Sequence, residues 1–319
     1  MRFVFVHGGF HAGWCWERTI EELKELGHDG VAVDLPGHGV RIDEESTLAN
    51  RRQAIVDVLE SGDVLVGHSG GGFDMTLAAD AAPELVRHIT YLAAALPREG
   101  RTYPEAMAMR DHEDGDFDAD TGEMLGYLRF DDDGAMWFAD FDGARKYFYH
   151  DCDEATARWA FDRLGPERFG DTTVTPVSVP RFWEADLPRS FIVCEQDRSM
   201  PRWLADTVAR RLGVEQLSID ASHSPFLSRP RELAELEPRI KQLFGAVPDR
   251  NLVNERSMRL YLAIKKLVQS NGWDYYTIQS FPGLGDDYSA TCFAQSMMLE
   301  DGVGTSTLGD FNTAMSVIL

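Results

Sequence analysis

The stretch that most constrains how this chain can fold is GDVLVGHSGGGFDMTLAADAA, residues 62–82. A short apolar run, typical of a buried strand, leads straight into a serine among glycines, and a predicted helix follows at once. Residues 67–71 read G-H-S-G-G, which fits the G-x-S-x-G pattern of a strand–turn–helix elbow. The small flanking residues permit a turn sharp enough to lift Ser69 Oγ out of the sheet. Ser69 is therefore the candidate nucleophile, and the alternative is a plain turn that joins strand to helix.

The same alternation of apolar strands and amphipathic helices runs along most of the first 245 residues. Strands are predicted at 2–6, 30–35, 63–68, 89–97, 190–197 and 215–220. Helices are predicted at 16–26, 49–62, 71–82, 201–212 and 229–244. Continuous apolar strands separated by helices are typical of a mostly parallel sheet with helices on both faces, which is the α/β class.

Two regions depart from this alternation. Residues 101–185 mix acidic clusters, aromatic stretches and a predicted helix at 153–164, and we interpret them as an insertion that forms a lid. Residues 246–250 are interpreted as a linker, because Gly245 comes directly before them and Pro248 lies within them. The last segment, 251–319, contains no histidine and predicts helices at 256–270 and 291–301 and a strand at 274–281.

A nucleophilic serine needs a base, and His223 is the candidate because it follows the last predicted strand of the sheet. Catalytic groups gather at the carboxyl ends of parallel strands. A surface or core histidine is the alternative for each of the nine histidines in the chain. His68 is expected to point into the packing of the elbow, and His7 to shape the loop after the first strand.

The acid that orients the base is sought in "FIVCEQDRSMP". Asp197 follows the strand and is free to reach across, whereas Glu195 is expected within the strand. Asp220 is a third option, only three residues before His223. Asp197 is favoured, which gives the chain order Ser, Asp, His.

The segment "VHGGFHAGWCW" follows the first strand and predicts an oxyanion hole. Its glycines allow backbone N–H groups to approach a reacting oxygen. The N–H groups of Gly9 and of Gly70, the residue after the nucleophile, are the expected donors. A simple strand-to-helix turn is the alternative. Aromatic side chains are candidates for an apolar pocket, with plain core positions as the alternative: Phe10, Trp14, Phe73, Trp137 and Phe226.

Composition excludes some partners. The formal net charge of −22 and the pI of about 4.7 disfavour binding to nucleic acid or to anionic membranes. No apolar run reaches the roughly 18 residues of a membrane span, and the N-terminus does not resemble a secretory signal. Four cysteines without CxxC spacing predict buried free thiols and a cytoplasmic protein. The composition does not decide whether the protein forms a homodimer.

Residues 1–245 resemble the α/β-hydrolase superfamily, in particular its branch of plant methylesterases, hydroxynitrile lyases and bacterial pyrethroid-hydrolase-like esterases. The matching stretches are "FVHGGFHAGWCW", "DLPGHG", "VGHSGGG", "YLAAALPREG", "DCDEATARWAF", "DRSMP" and "HSPFLSRP". The resemblance implies a small helical lid, no cofactor or metal, and small carboxylic esters as substrates. The lyases carry a threonine at the place matched by Gly8 and a lysine at that of Ser224, so esterase chemistry is favoured over cyanohydrin cleavage.

The segment 251–319 resembles a fragment of the L-fucose/L-arabinose isomerase family, around "FPGLGDDYSATCFAQSMMLEDGV" and "GDFNTAM". The family's metal-binding glutamate falls on Leu308, which cannot hold Mn²⁺ or Mg²⁺. We therefore expect a fusion remnant or a truncated reading frame rather than a bifunctional carbohydrate enzyme. The leading hypothesis is a serine esterase, and the second is a ligand-binding or receptor-like protein of the same fold with little turnover.

Overall fold

Two compact units, Met1–Phe244 and Gly245–Leu319, make up the chain in its computed structural model. The residues that the structure describes are 1–108, 123–132, 134–236, 268, 270, 275–277 and 304–306.

Six strands of the first unit form one parallel sheet: β1 (Arg2–Val6), β2 (Asp29–Val33), β3 (Asp63–His68), β4 (Val86–Leu92), β7 (Arg189–Cys194) and β8 (Gln216–Ile219). Their order is β2-β1-β3-β4-β7-β8. All six residues of β3 are buried, as the apolar run DVLVGH requires of a strand covered on both faces. The predicted α/β class and mostly parallel sheet are confirmed.

The α-helices of the described first unit are α1 (Glu17–Glu25), α2 (Leu48–Val56), α3 (Gly71–Ala81), α4 (Tyr103–Ala108), α5 (Phe141–Phe148), α6 (Glu154–Phe161), α7 (Pro180–Glu184), α8 (Arg202–Leu212) and α9 (Pro225–Ser228). Short 3₁₀ segments occur at Gly13–Trp16, Gly39–Arg41, Pro83–Leu85 and Gly170–Thr173. Residues 230–236 are also helical, and the rest of the helix predicted at 229–244 lies outside the described residues. The helix predicted at 49–62 is wrong in its second half, because Asp57 caps α2 and Gly62, at φ +90°, turns the chain into β3.

The strand order reverses direction at β1, and this reversal positions the site. The chain steps from β1 outward to β2, then crosses back past β1 to β3 and onward to β4. Right-handed crossovers therefore place α1 on one face of the sheet and α2 and α3 on the other. A crevice opens where the carboxyl ends of β1 and β3 diverge. Val6 and Gly67 are register partners, so the loops after both strands begin side by side.

The insertion at 101–185 is not purely helical, which corrects the expectation of a small helical lid. Besides α4 to α7 it contains an antiparallel hairpin of β5 (Leu128–Phe130) and β6 (Met136–Phe138). Part of the acidic run "DDDG" is the hairpin turn, in which Asp131 Oδ1 accepts the N–H of Ala135 and Gly134 has φ +76°. The acidic cluster at 111–120 lies outside the described residues.

The second unit is described only in fragments. Strands β9 (Tyr275–Thr277) and β10 (Gly304–Ser306) pair in parallel, and β9 falls inside the strand predicted at 274–281. Residues 268 and 270 are helical, within the helix predicted at 256–270. The linker at 246–250, the helix predicted at 291–301 and Leu308 lie outside the described residues.

Three cysteines, Cys15, Cys152 and Cys194, are free and buried, and Cys292 lies outside the described residues. Burial raises the pKa of all three thiols, in Cys152 to about 12. None of the described helices has the length and apolar character that a bilayer crossing requires.

Candidate active site

Ser69 occupies a strained turn between β3 and α3. Its φ of +50° lies in the left-handed region, which a residue with a Cβ atom rarely adopts. Glycines on both sides make room for the turn. A Cβ on Gly67 would lie 2.5 Å from Met75 Sδ, and one on Gly71 would lie 2.3 Å from the carbonyl oxygen of His7. The Ser69 carbonyl accepts the N–H groups of Gly72 and Ala95, which holds the turn in place.

His223 and Asp197 are brought together from the loops that follow β8 and β7. His223 Nδ1 lies 2.7 Å from Asp197 Oδ2, and both side chains are almost completely buried. The other carboxylate oxygen, Oδ1, accepts the N–H groups of Ser199 at 2.7 Å and Met200 at 2.9 Å. These bonds orient the carboxylate toward the imidazole, whose ring stacks on Phe148 with 5.4 Å between centroids.

The other candidate acids do not contact His223. Glu195 lies one residue beyond the end of β7 and is exposed, so the expectation that it falls within the strand is wrong. Asp220 is also exposed and accepts a hydrogen bond from Gln196 Nε2 at 2.6 Å. Of the three carboxylates weighed from the sequence, only Asp197 meets the imidazole.

His68 and His7 have supporting contacts. His68 is buried behind the elbow and its Nε2 lies 2.8 Å from the carbonyl oxygen of His223, which joins the two loops. His7 Nε2 accepts the N–H of Leu35 and so ties the loop after β1 to the end of β2. Burial lowers the pKa of both imidazoles, which keeps them neutral at pH 7.

Gly9 and Gly70 face the same cavity as Ser69 and His223. A Cβ built on Gly70 would lie 3.9 Å from the backbone nitrogen of Gly9, so the two glycines are neighbours. Within the described part of the chain, no hydrogen bond uses the N–H of either residue. Two unpaired N–H groups beside a serine hydroxyl are what an oxyanion hole requires.

The peptide that links Gly9 to Phe10 is held from both sides. Its carbonyl oxygen lies 2.8 Å from His11 Nδ1, and its N–H donates to Glu167 Oε2 at 3.2 Å. Burial lowers the pKa of His11 to about 4, so the neutral ring donates from Nδ1 and accepts from the Tyr149 hydroxyl at Nε2. These contacts hold Phe10 at φ +66° and fix the plane next to the Gly9 N–H.

Glu167 belongs to a buried charged cluster beside the cavity. Its Oε1 accepts from Arg51 at 3.3 Å, and its Oε2 lies 3.1 Å from His38 Nε2. Arg51 also pairs with Asp74 at 2.9 Å. Burial opposes ionisation of Glu167, but His38 and Arg51 outweigh it and hold the pKa of this carboxyl well below its ordinary value. Burial raises the pKa of Asp74 despite Arg51.

The cavity has a volume of about 190 Å³ and is mainly apolar. Its apolar lining consists of Phe10, Phe73, Met107, Met124, Met136, Phe148 and Phe169. Its polar lining includes Ser69, His223 and Tyr103 and, from the charged cluster, Arg51, Asp74 and Glu167. No group of three His, Cys, Asp or Glu residues suited to a metal ion occurs among the described residues.

Of the five aromatic residues predicted to line the pocket, Phe10 and Phe73 do so, and the other three are not among its lining residues. Trp14 packs edge-on against Trp159. Trp137 alternates with the cavity-lining Met136 on β6 and lies under the guanidinium of Arg129. Phe226 is fully buried behind the site, against Trp16 and His68.

Sequence reasoning missed most of the wall that the insertion supplies, and it missed the charged cluster. A usable signal existed for Asp74, since it is the one charged residue in the first nine of the otherwise apolar helix α3. A buried carboxylate in such a helix needs a partner, which Arg51 of α2 supplies. Glu167 carries no comparable signal, because it lies in an irregular segment.

The first unit is similar in sequence to known proteins. A model of the Alpha/beta hydrolase family matches residues 3–236. The probable esterase PIR7A of Oryza sativa subsp. indica is 29% identical over 256 residues, which cover 75% of this chain and 95% of the relative. Methylesterase 7 of Arabidopsis thaliana is 30% identical over 252 residues, which cover 74% of this chain and 94% of the relative.

A solved structure gives the same likeness of fold. The pyrethroid hydrolase from Sphingobium faniae JZ-2 superposes with a TM-score of 0.65 at 24% identity, covering 78% of this chain and 99% of that one. The family match at residues 3–236 therefore covers the first unit, Met1–Phe244, almost to its end.

Proposed function

This chain belongs to the alpha/beta hydrolase family, and on that premise we propose that it is a serine esterase that cleaves small carboxylic esters through an acyl-enzyme. That it is a carboxylic ester hydrolase follows from relatives named esterase and methylesterase. The observation that carries the proposed mechanism is the 2.7 Å contact of His223 with Asp197, on the cavity that Ser69 also lines.

His223 acts first as the general base. Its Nδ1–H donates to Asp197, which leaves the lone pair of Nε2 to accept the Ser69 hydroxyl proton. Ser69 Oγ then attacks the ester carbonyl carbon, and the π electrons move onto the carbonyl oxygen. The N–H groups of Gly9 and Gly70 stabilise that oxyanion.

Collapse of the tetrahedral intermediate breaks the bond to the alcohol, which takes the proton from His223 and leaves. Water then attacks the acyl-serine with His223 again as base, and the acid product and free Ser69 are released. Asp197 holds the imidazole in the correct tautomer and stabilises the imidazolium in both halves. The cavity of about 190 Å³ favours small esters over extended ones.

Two alternatives lose support from the packing. A Cβ on Gly8 would lie 2.7 Å from Ser69 Cβ and 2.8 Å from His68 Nδ1, so the threonine that the lyases carry at this place would not fit without movement. Ser224, at the place of the lyase lysine, is fully buried. A binding protein without turnover has no need of a strained serine or an oriented imidazole.

A panel of p-nitrophenyl and methyl esters with acyl chains of increasing length tests the proposal. We expect turnover that declines as the acyl chain outgrows the cavity, and that is lost in Ser69→Ala. Ser199→Ala is the matched control, because it removes another hydroxyl from the cavity lining but keeps the N–H that Asp197 accepts. Absence of turnover across the panel would favour the binding protein.

A further inference from the structure

Tyr103, the first residue of α4, has no part in the mechanism described so far, yet its side chain lines the cavity. The ring packs edge-on against Phe73, with 5.2 Å between centroids, and lies 5.9 Å from the ring of Phe169. Phe73 belongs to α3, directly behind the elbow. The position of the phenol is therefore set by packing against the helix that follows the nucleophile.

The Tyr103 hydroxyl lies beside the two oxyanion-hole glycines. A Cβ built on Gly70 would lie 3.2 Å from the hydroxyl oxygen and 3.9 Å from the backbone nitrogen of Gly9. The hydroxyl and the Gly9 N–H are thus on the same side of Gly70. Because Gly70 has no side chain, the space between them stays open to a reacting atom.

This hydroxyl is available as a donor. Among the described residues the Tyr103 hydroxyl has no hydrogen-bond partner, and the side chain faces the cavity. Burial, reinforced by the charges of Glu167 and Asp74, raises the pKa of Tyr103 well above its ordinary value. The phenol therefore keeps its proton throughout the pH range in which an esterase works.

We propose that Tyr103 is a catalytic residue. Its hydroxyl donates a third hydrogen bond to the oxyanion, in addition to those from the N–H groups of Gly9 and Gly70. The inference rests on the proposed function and extends it. As Ser69 Oγ bonds to the carbonyl carbon, the π electrons become a lone pair on oxygen, and the Tyr103 O–H donates to that charge without transferring its proton. The proton balance remains between Ser69, His223 and the leaving alcohol.

A donor aimed at the developing charge acts in the transition state more than in the ground state. Tyr103→Phe keeps the ring packing and removes only the oxygen. We expect kcat to fall by about 100-fold, as for loss of one oxyanion donor, with KM changed by less than about threefold. Tyr147→Phe is the matched control, since Tyr147 is a buried tyrosine of the same insertion that does not line this cavity.

Inhibitor binding separates a catalytic hydroxyl from a merely structural one. An aryl trifluoromethyl ketone forms a tetrahedral adduct with an oxyanion, whereas the corresponding planar amide does not. We expect Tyr103→Phe to weaken the ketone by the same factor as kcat/KM and to leave the amide within about twofold. Equal loss for both inhibitors would overturn the proposal, as would unchanged kcat.

Tyr103→Met provides a second variant in case Tyr103→Phe unfolds, which its thermal midpoint would reveal. The apolar side chain can pack against Phe73 but carries no donor, so we expect the same selective loss of ketone affinity. Wild-type protein without Ser69-dependent turnover would contradict the proposed function. An active wild type with an unaffected Tyr103→Phe, or with an unaffected Tyr103→Met where Tyr103→Phe unfolds, would contradict only the role of Tyr103.

Discussion

The carboxyl edge of the sheet and the insertion that follows β4 contribute to one cavity in different ways. The sheet edge presents Ser69, Asp197 and His223 from short loops fixed by backbone hydrogen bonds. The insertion presents side chains from short helices and irregular segments, among them Tyr103 of α4 and Glu167. Topology thus determines where the reacting groups meet, whereas side-chain packing determines the shape and polarity around them.

The largest effect should come from the sheet edge. Asp197→Asn should lower kcat by about 10⁴-fold, because the amide no longer holds the imidazole in the tautomer that accepts a proton. Steady-state kinetics on a p-nitrophenyl ester measures it. Glu195→Gln is the control and should stay near wild type, since Glu195 is exposed and does not contact His223. A large loss of kcat in Glu195→Gln together with a small loss in Asp197→Asn would show that Glu195, and not Asp197, is the acid.

A smaller loss should come from the insertion. Glu167→Gln should lower kcat by about 10- to 100-fold, because the Gly9–Phe10 peptide loses a charged acceptor and the oxyanion loop shifts. The thermal midpoint should also fall, since Arg51 keeps one carboxylate partner instead of two. Glu154→Gln, an exposed glutamate of the same insertion, is the control. A loss of 10⁴-fold in Glu167→Gln would mean that the insertion supplies chemistry and not only support.

A buried histidine of the sheet should contribute more to the loss of stability in acid than a histidine of the insertion. Burial lowers the pKa of His88, on β4, to about 4 from an ordinary 6.5. Between pH 6.5 and about 4, His88 is protonated in the unfolded chain but neutral in the folded protein. The free energy of unfolding therefore decreases as the pH falls through this range. His88→Gln should flatten that dependence by up to about 1.4 kcal/mol per pH unit in urea titrations.

The matched histidine is His150 of the insertion, which is only partly buried and has a pKa lowered by burial. His150→Gln should change the pH slope less than His88→Gln, because solvent screens a partly exposed group. An equal or larger change would show that the insertion is as tightly packed as the sheet.

The smallest effect should follow removal of the second unit. Every candidate catalytic group lies before residue 224, inside the unit Met1–Phe244. A chain ending at Ala246 should keep kcat/KM within a few-fold of the full chain, and added Mn²⁺ should change neither. Lost activity with a native circular dichroism spectrum would assign the second unit a part in the site.

What the sequence predicted follows the same division. The strands and the positions of Ser69, Asp197 and His223 could be predicted from the sequence. Apolar runs identify the strands, and parallel strands bring their carboxyl ends together. The predicted helix at 49–62 was too long, because Val58 and Leu59 follow Ile55 at helical spacing although the chain leaves the helix after Val56 and turns at Gly62.

The residues that form the wall of the cavity were much harder to predict from the sequence. Trp137 and Met136 are adjacent in sequence, and only the hairpin register decides which of them faces the cavity. Glu167 contacts Arg51, more than a hundred residues earlier, through an irregular segment that has no periodicity to read. Contacts of that kind depend on how the insertion packs, which local patterns do not encode.

The claim that Ser69 is the nucleophile is tested most directly by covalent labelling with a fluorophosphonate ester. Mass spectrometry of the digested protein should locate one adduct on the peptide that contains Ser69. The adduct should be absent from Ser69→Ala and retained in Ser199→Ala. Undiminished labelling of Ser69→Ala, or an adduct on another residue in the wild-type chain, would contradict the proposed mechanism.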